Sequence, residues 1–145
     1  MAAKSPRRLV MTQSVPLLVV EDEALLLLDV QDGLEGAGYA VLGAASGREA
    51  LALMDIHLDS IRALVTDIDI GSDSITGWDL AQRAREAKPH LPVIYMTGAS
   101  ADQWTSRGVP HSVLLHKPFA SAQLITAVSQ LLNSSTDIAA GPGTE

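Results

Sequence analysis

Leu17-Leu18-Val19-Val20-Glu21-Asp22 decides how this chain folds. Four apolar residues run together and stop on two carboxylates. A short uninterrupted apolar run is the pattern of a parallel strand covered on both faces, and its carboxyl end is where a site opens. The same pattern returns further along. Ala63-Leu64-Val65-Thr66 stops on Asp67, Val93-Ile94-Tyr95-Met96 on Thr97-Gly98, and Val113-Leu114-Leu115-His116 on Lys117-Pro118. Acids, a hydroxyl and an ammonium delivered to strand ends are the parts of a metal-assisted phosphoryl-transfer site.

Helical signals fill the intervals. Residues 23–37 read as a helix stopped by Gly38. Residues 39–44 give a second strand. Ser46-Gly47-Arg48-Glu49 has the capping-box pattern and opens a helix to Leu58. Residues 61–66 form the third strand, and residues 71–77 carry loop chemistry. A helix over 78–87 is halted by Pro89. A strand over 91–96, a weakly specified helix over 101–107 and a strand over 112–116 follow. Ser121 is expected to cap a last helix that ends near Leu132. Five strands alternating with five helices predict an α/β fold: a doubly wound, five-stranded parallel sheet, strand order 2-1-3-4-5, flavodoxin-like, with helices on both faces. Ligands of such sheets bind at the carboxyl ends of strands 1 and 3, where Glu21-Asp22 and Asp67 lie.

The 145 residues suit one domain, expected over 16–133, between a flexible tail at 1–15 and a disordered one at 134–145. Hydrophobic residues make up 47% of the chain and aromatics 3%, so the core is aliphatic. The net charge is −7, and Lys4, Arg7 and Arg8 at the start make the rest of the chain more acidic still. That balance argues against nucleic acid and anionic lipid as partners. No apolar run approaches the ~20 residues of a membrane span. Thr12, Gln13, Ser14 and Pro16 interrupt the apolar stretch at the start, which reads as a tail rather than an export signal. Cysteine is absent, which excludes a disulfide framework and fits a reducing, cytoplasmic interior. His57, His90, His111 and His116 have no metal-ligand spacing.

Converging carboxylates repel one another and call for a counter-charge. A hard divalent cation, magnesium or manganese, supplies it through a few carboxylate oxygens, waters and a phosphate oxygen. One carboxylate can also serve as nucleophile and form an aspartyl phosphate. Asp67, at the end of the central strand, is the candidate. Thr97 can donate to a phosphoryl oxygen, and Lys117 can pair with another as a point charge.

Val20-Glu21-Asp22-Glu23, Thr66-Asp67, Met96-Thr97-Gly98 and His116-Lys117-Pro118-Phe119 together resemble the response-regulator receiver domain of two-component signalling. The resemblance covers residues 16–133, and the intervals between Asp22, Asp67, Thr97 and Lys117 are those usual in the family. It implies that Glu21, Asp22, Asp67 and the backbone carbonyl of Asp69 bind magnesium. It implies that Asp67 takes a phosphoryl group from a sensor histidine kinase or a histidine phosphotransfer protein. Thr97 and Lys117 would read that group, and the small Gly98 would leave room beside it. The residues after Leu132 are too few for an output domain, so the expectation is a stand-alone receiver. Its output is then an unknown downstream protein, a relay or a phosphate sink, and conventional turnover is not expected.

The chain departs from the family in two places. The switch position, usually aromatic, is Leu114. The loop after Asp67 carries Gly71 and Gly77 where the family has a Pro and an earlier Gly, so it is longer and richer in Gly and Ser. Two other functions remain in view: a degenerate receiver that binds partners without phosphorylation, and a haloacid-dehalogenase-like phosphatase built on Asp67-Ile68-Asp69. The phosphatase gives Glu21-Asp22 no role. Leu25-Leu26-Leu27-Leu28 also carries two readings. The run is either a wide core stripe, with Leu26 or Leu27 joined by Val30, Leu34 and Ala37, or a docking patch in which Leu25 and Leu28 face a kinase. Trp104 is expected to cover an edge of the core.

Overall fold

A computed structural model of the chain describes residues 16–71 and 74–140. Strands β1 (Pro16–Val20), β2 (Ala40–Ala44), β3 (Ala63–Asp67), β4 (Val93–Thr97) and β5 (Ser112–His116) alternate with helices α1 (Ala24–Gly36), α2 (Gly47–His57), α3 (Gly77–Ala87), α4 (Trp104–Arg107) and α5 (Ser121–Ala140). A 3₁₀ turn, Ala101–Gln103, leads into α4. The strands form one parallel sheet in the order β2-β1-β3-β4-β5, as the alternation predicts.

Side chains on a strand alternate between faces, and here both faces are covered. Leu18, Val20, Leu64, Val93 and Tyr95 pack with Met54 of α2 and with Trp78, Leu80 and Ala84 of α3. Leu17, Val19, Val65, Ile94 and Met96 pack with Val30 and Leu34 of α1 and with Leu124, Val128 and Leu132 of α5. The three central strands are buried at every position, whereas the edge strands β2 and β5 are half-buried. That gradient explains the uninterrupted apolar runs.

Helix ends follow the local chemistry, with several refinements. Gly38, at φ +99°, closes α1: its N–H donates to Glu35 and the Tyr39 N–H to Leu34, both through backbone carbonyls. Ala37 is therefore the exposed cap residue and does not join the inward stripe. At α2, Ser46 Oγ accepts from the Glu49 N–H, and the Glu49 carboxylate accepts from Ala45 N–H rather than from Ser46. The reciprocal box occurs instead at α3, between Thr76 and Asp79. Ser121 is the first helical residue of α5 rather than its cap. Ala120 holds that place, and its N–H donates to Gln123 Oε1. Helix α5 continues to Ala140, past the stop expected at Leu132, so residues 134–140 of the expected disordered tail are helical. The expected tail at 1–15 and residues 141–145 lie outside the described residues. No helix among the described residues is long and apolar enough to cross a membrane.

Candidate functional site

The strand ladders run one residue beyond several strand ends and so fix the site's backbone. Glu21 N–H donates to Ala44 O, Ile68 N–H to Met96 O, and Lys117 N–H to Thr97 O. Glu21, Asp67 and Lys117 continue the alternation of Val19, Val65 and Leu115, on the face covered by α1 and α5. Thr97 continues the alternation of Val93 and Tyr95, on the opposite face. The sheet thus aims two acids and the lysine into one place and the hydroxyl toward the other layer. The Lys117–Pro118 peptide bond is cis.

Three carboxylates meet as expected. Ligand oxygens of Glu21, Asp22 and Asp67 all lie within 4.8 Å of one another. Glu21 is 1% exposed and Asp67 6%, while Asp22 is open to solvent. Lys117 Nζ donates to Glu21 Oε1 at 2.9 Å and lies 3.3 Å from Asp67 Oδ2. The other Glu21 oxygen accepts from Glu23 N–H at 3.0 Å. Burial pushes the Asp67 carboxyl up to about 6, the Glu21 charge adds to the rise, and Lys117 opposes it without cancelling it. Burial works to lower the Lys117 ammonium, but its bond to Glu21 and the Asp67 charge outweigh that, and the net direction is up. One ammonium beside three carboxylates leaves the cluster negative. An all-oxygen donor set with that excess charge fits a hard divalent cation.

Glycines let the backbone close on this cluster. A Cβ at Gly77 would collide with the Asp67 carbonyl and come within 2.9 Å of Ile68 Cα. The start of α3 can therefore press on the end of β3, and Gly77 N–H donates to Ile68 O at 2.8 Å. Gly71, at φ +59°, has Asp22 Oδ2 where a Cβ would sit 3.0 Å away. Residues 72 and 73 of the same loop lie outside the described residues. Sequence reasoning noticed Gly71 and Gly77 only as departures in spacing. Their contacts with Asp22 and Asp67 belong to the fold.

Thr97 and the Asp69 side chain are both bonded by the turn that follows β4. Thr97 is 1% exposed, and its Oγ1 accepts from Ala99 N–H at 3.2 Å and Ser100 N–H at 2.8 Å. Asp69 is exposed, and its Oδ2 accepts from Ser100 Oγ at 2.8 Å. Ser100 was not a sequence candidate, because a serine in a loop carries no signal until a partner is folded against it. Leu114 is half-buried beside the first core cluster, and its register partner is Tyr95. Tyr95 is fully buried, packs against Trp78 with ring centroids 4.7 Å apart and planes tilted by 55°, and accepts from Val109 N–H at 3.1 Å through its hydroxyl. An aromatic thus stands on the Leu114 face, one strand over. The lone tyrosine in an aliphatic strand was the available signal. Trp104 covers the core edge as expected, and its indole N–H donates to Ser112 Oγ at 2.8 Å.

Leu25 and Leu28 are 78% and 55% exposed, so the wide core stripe does not include them. Leu26 and Leu27 are the members of the run that pack inward.

The response regulator receiver domain model matches residues 17–129. Sensor kinase CckA of Brucella abortus is 31% identical over 122 residues, which is 82% of this chain and 13% of that protein. Response regulator SaeR of Staphylococcus aureus is 27% identical over 118 residues, 80% of this chain and 50% of that protein. The chain therefore spans half or less of the length of these curated relatives. Among solved structures, a response regulator receiver protein from Sinorhizobium medicae is 44% identical with a TM-score of 0.80, covering 86% of this chain and 98% of that one. A receiver domain protein from Clostridium thermocellum superposes with a TM-score of 0.75 at 27% identity, covering 83% and 96% of the two chains. A doubly wound sheet with an acid cluster at its switch point, matched along nearly all of its described length, leaves one assignment: the chain belongs to the response regulator receiver domain family of two-component signalling.

Proposed function

We propose that this receiver takes a phosphoryl group on Asp67 from a sensor histidine kinase or a histidine phosphotransfer protein. The observation that carries the proposal is the Lys117 ammonium bridging Glu21 and Asp67 within a cluster that also holds Asp22. An Asp67 carboxylate oxygen attacks phosphorus as the bond from phosphorus to the donor imidazole nitrogen breaks, and a proton restores the neutral histidine. Magnesium, held by Glu21, Asp22, Asp67 and the Asp69 carbonyl, would supply positive charge for the phosphoryl oxygens. Lys117 pairs with one of those oxygens, and the Thr97 hydroxyl donates to another. Gly98 has open space around it, with Lys117 Cβ 4.0 Å from where a Cβ would stand.

Asp69 is a poor candidate for the acid–base group of a phosphatase, because its side chain is engaged by Ser100. The exposed Leu25 and Leu28 at the start of α1, next to Glu21-Asp22, support docking of a protein donor there. Output would pass through a protein partner, a relay or a phosphate sink.

Incubation with magnesium and a small acyl phosphate tests the reading. Intact mass should rise by one phosphoryl group in the wild type and not in Asp67→Asn. Beryllium fluoride should bind only when magnesium and Asp67 are both present. A wild type that forms neither adduct is a phosphorylation-independent module instead.

A further inference from the structure

Asp69 and Ser100 join the two loops that border the site. Ser100 is 7% exposed, and its hydroxyl donates to Asp69 Oδ2 at 2.8 Å. Its amide donates to Thr97 Oγ1 at 2.8 Å, alongside the Ala99 amide at 3.2 Å. Both amides bond the Thr97 oxygen and leave its proton free to donate, so what the turn fixes is the position of the hydroxyl, not its bonding capacity. Thr97 also leaves the sheet on the Tyr95 face, while Asp67 leaves it on the Val65 face. To reach a phosphoryl oxygen on Asp67, the Thr97 hydroxyl must either abandon these amides or carry the turn with it. Carrying the turn pulls Ser100 from Asp69. Abandoning the amides frees Ser100 from its second anchor.

We propose that Asp69 and Ser100 are positioning residues: their hydrogen bond clamps the β4–α4 turn on the β3–α3 loop and holds Thr97 withdrawn in the resting protein. The inference rests on Asp67 being the phosphoacceptor, and it deepens that reading by naming what sets the resting bias. A contact made in one state only shifts the equilibrium by its own strength. Removing this one should favour the engaged state, so the variant binds the phosphoryl mimic more tightly. A side chain that merely props the fold would give the opposite sign.

The test compares wild type, Ser100→Ala, Asp69→Ala, Asp69→Asn and the double alanine variant. Two readouts are taken: Thr97 χ1 populations from three-bond NMR couplings without any phosphodonor, and beryllium fluoride affinity in magnesium. Ser100→Ala should spread the Thr97 rotamers and tighten beryllium fluoride binding about three- to tenfold, the range expected of one hydrogen bond. Asp69→Ala should do the same, Asp69→Asn should restore wild-type rotamers because its amide oxygen still accepts, and the double variant should gain nothing more. Unchanged rotamers, or weaker binding in Ser100→Ala, overturn the clamp. If the wild type itself fails to bind beryllium fluoride, the phosphoacceptor reading falls and the rotamers alone judge the clamp.

Discussion

Lys117 Nζ stands 2.9 Å from Glu21 Oε1 and 3.3 Å from Asp67 Oδ2, so a single ammonium serves as counter-charge to two buried carboxylates from different strands. Removing one partner of such a group leaves the others uncompensated. Lys117→Gln should lower stability by about 2–3 kcal/mol in the absence of divalent cation. Millimolar magnesium should raise the Tm of the variant more than that of wild type, because a bound cation replaces the lost charge. Thermal melts with and without magnesium measure both effects, and equal magnesium shifts would remove the counter-charge role.

Asp67 gives a pH signature. Its carboxyl lies at about 6 in the fold against an ordinary 3.8. Between those values the folded protein binds more protons than the unfolded one, so stability falls as pH rises through the window. The penalty is absent below it and complete above it. Asp67→Asn should therefore stabilise the metal-free protein by about 2–3 kcal/mol at pH 7.5 and by almost nothing near pH 4. Denaturant melts at the two pH values check it. A gain that is independent of pH would contradict the shift.

Gly77 has no room for a side chain. A methyl there meets the Asp67 carbonyl and Ile68 Cα, both backbone atoms that cannot swing aside. Gly77→Ala should cost about 2–3 kcal/mol and displace Asp67, weakening beryllium fluoride binding in proportion. Urea melts and a beryllium fluoride titration report the two effects. Wild-type values in both would mean that the start of α3 yields freely.

Tyr95 ties the centre of the sheet to the segment before β5. Its hydroxyl is the acceptor for the Val109 N–H, which is otherwise buried. Tyr95→Phe should cost about 1–3 kcal/mol and speed amide exchange at Val109. Unaltered exchange there would show that water takes over the bond.

Leu25 and Leu28 are exposed, so charging them should leave the fold intact. Leu25→Asp with Leu28→Asp should alter stability by about 0.5 kcal/mol or less. The pair should block transfer from a protein phosphodonor while sparing phosphorylation by a small acyl phosphate. Equal loss of both would refute docking at this patch.

Much of the fold was legible because parallel strands buried on both faces must be written as unbroken apolar runs. Leu17 to Val20, Ala63 to Val65 and Val93 to Met96 left no other reading. The Gly38 stop was legible because a positive φ selects glycine. The end of α5 was not, since polar Asn133, Ser134 and Ser135 are compatible with helix as well as coil, and the Thr76–Asp79 box was hidden in a loop rich in turn residues.

The sequence by itself determined the sheet, its order and the strand ends at which Glu21, Asp22, Asp67, Thr97 and Lys117 are delivered, because burial periodicity and strand-end chemistry are local properties. Tertiary structure alone decided that Lys117 reaches back to Glu21, that Gly77 presses on Asp67, that Tyr95 faces Leu114 and that Asp69 holds Ser100. All but the Gly77 contact join residues far apart in the chain, and that one closes a loop back on its own strand. Their contact depends on the register of neighbouring strands and the angle at which a loop returns, and no short stretch of sequence carries either.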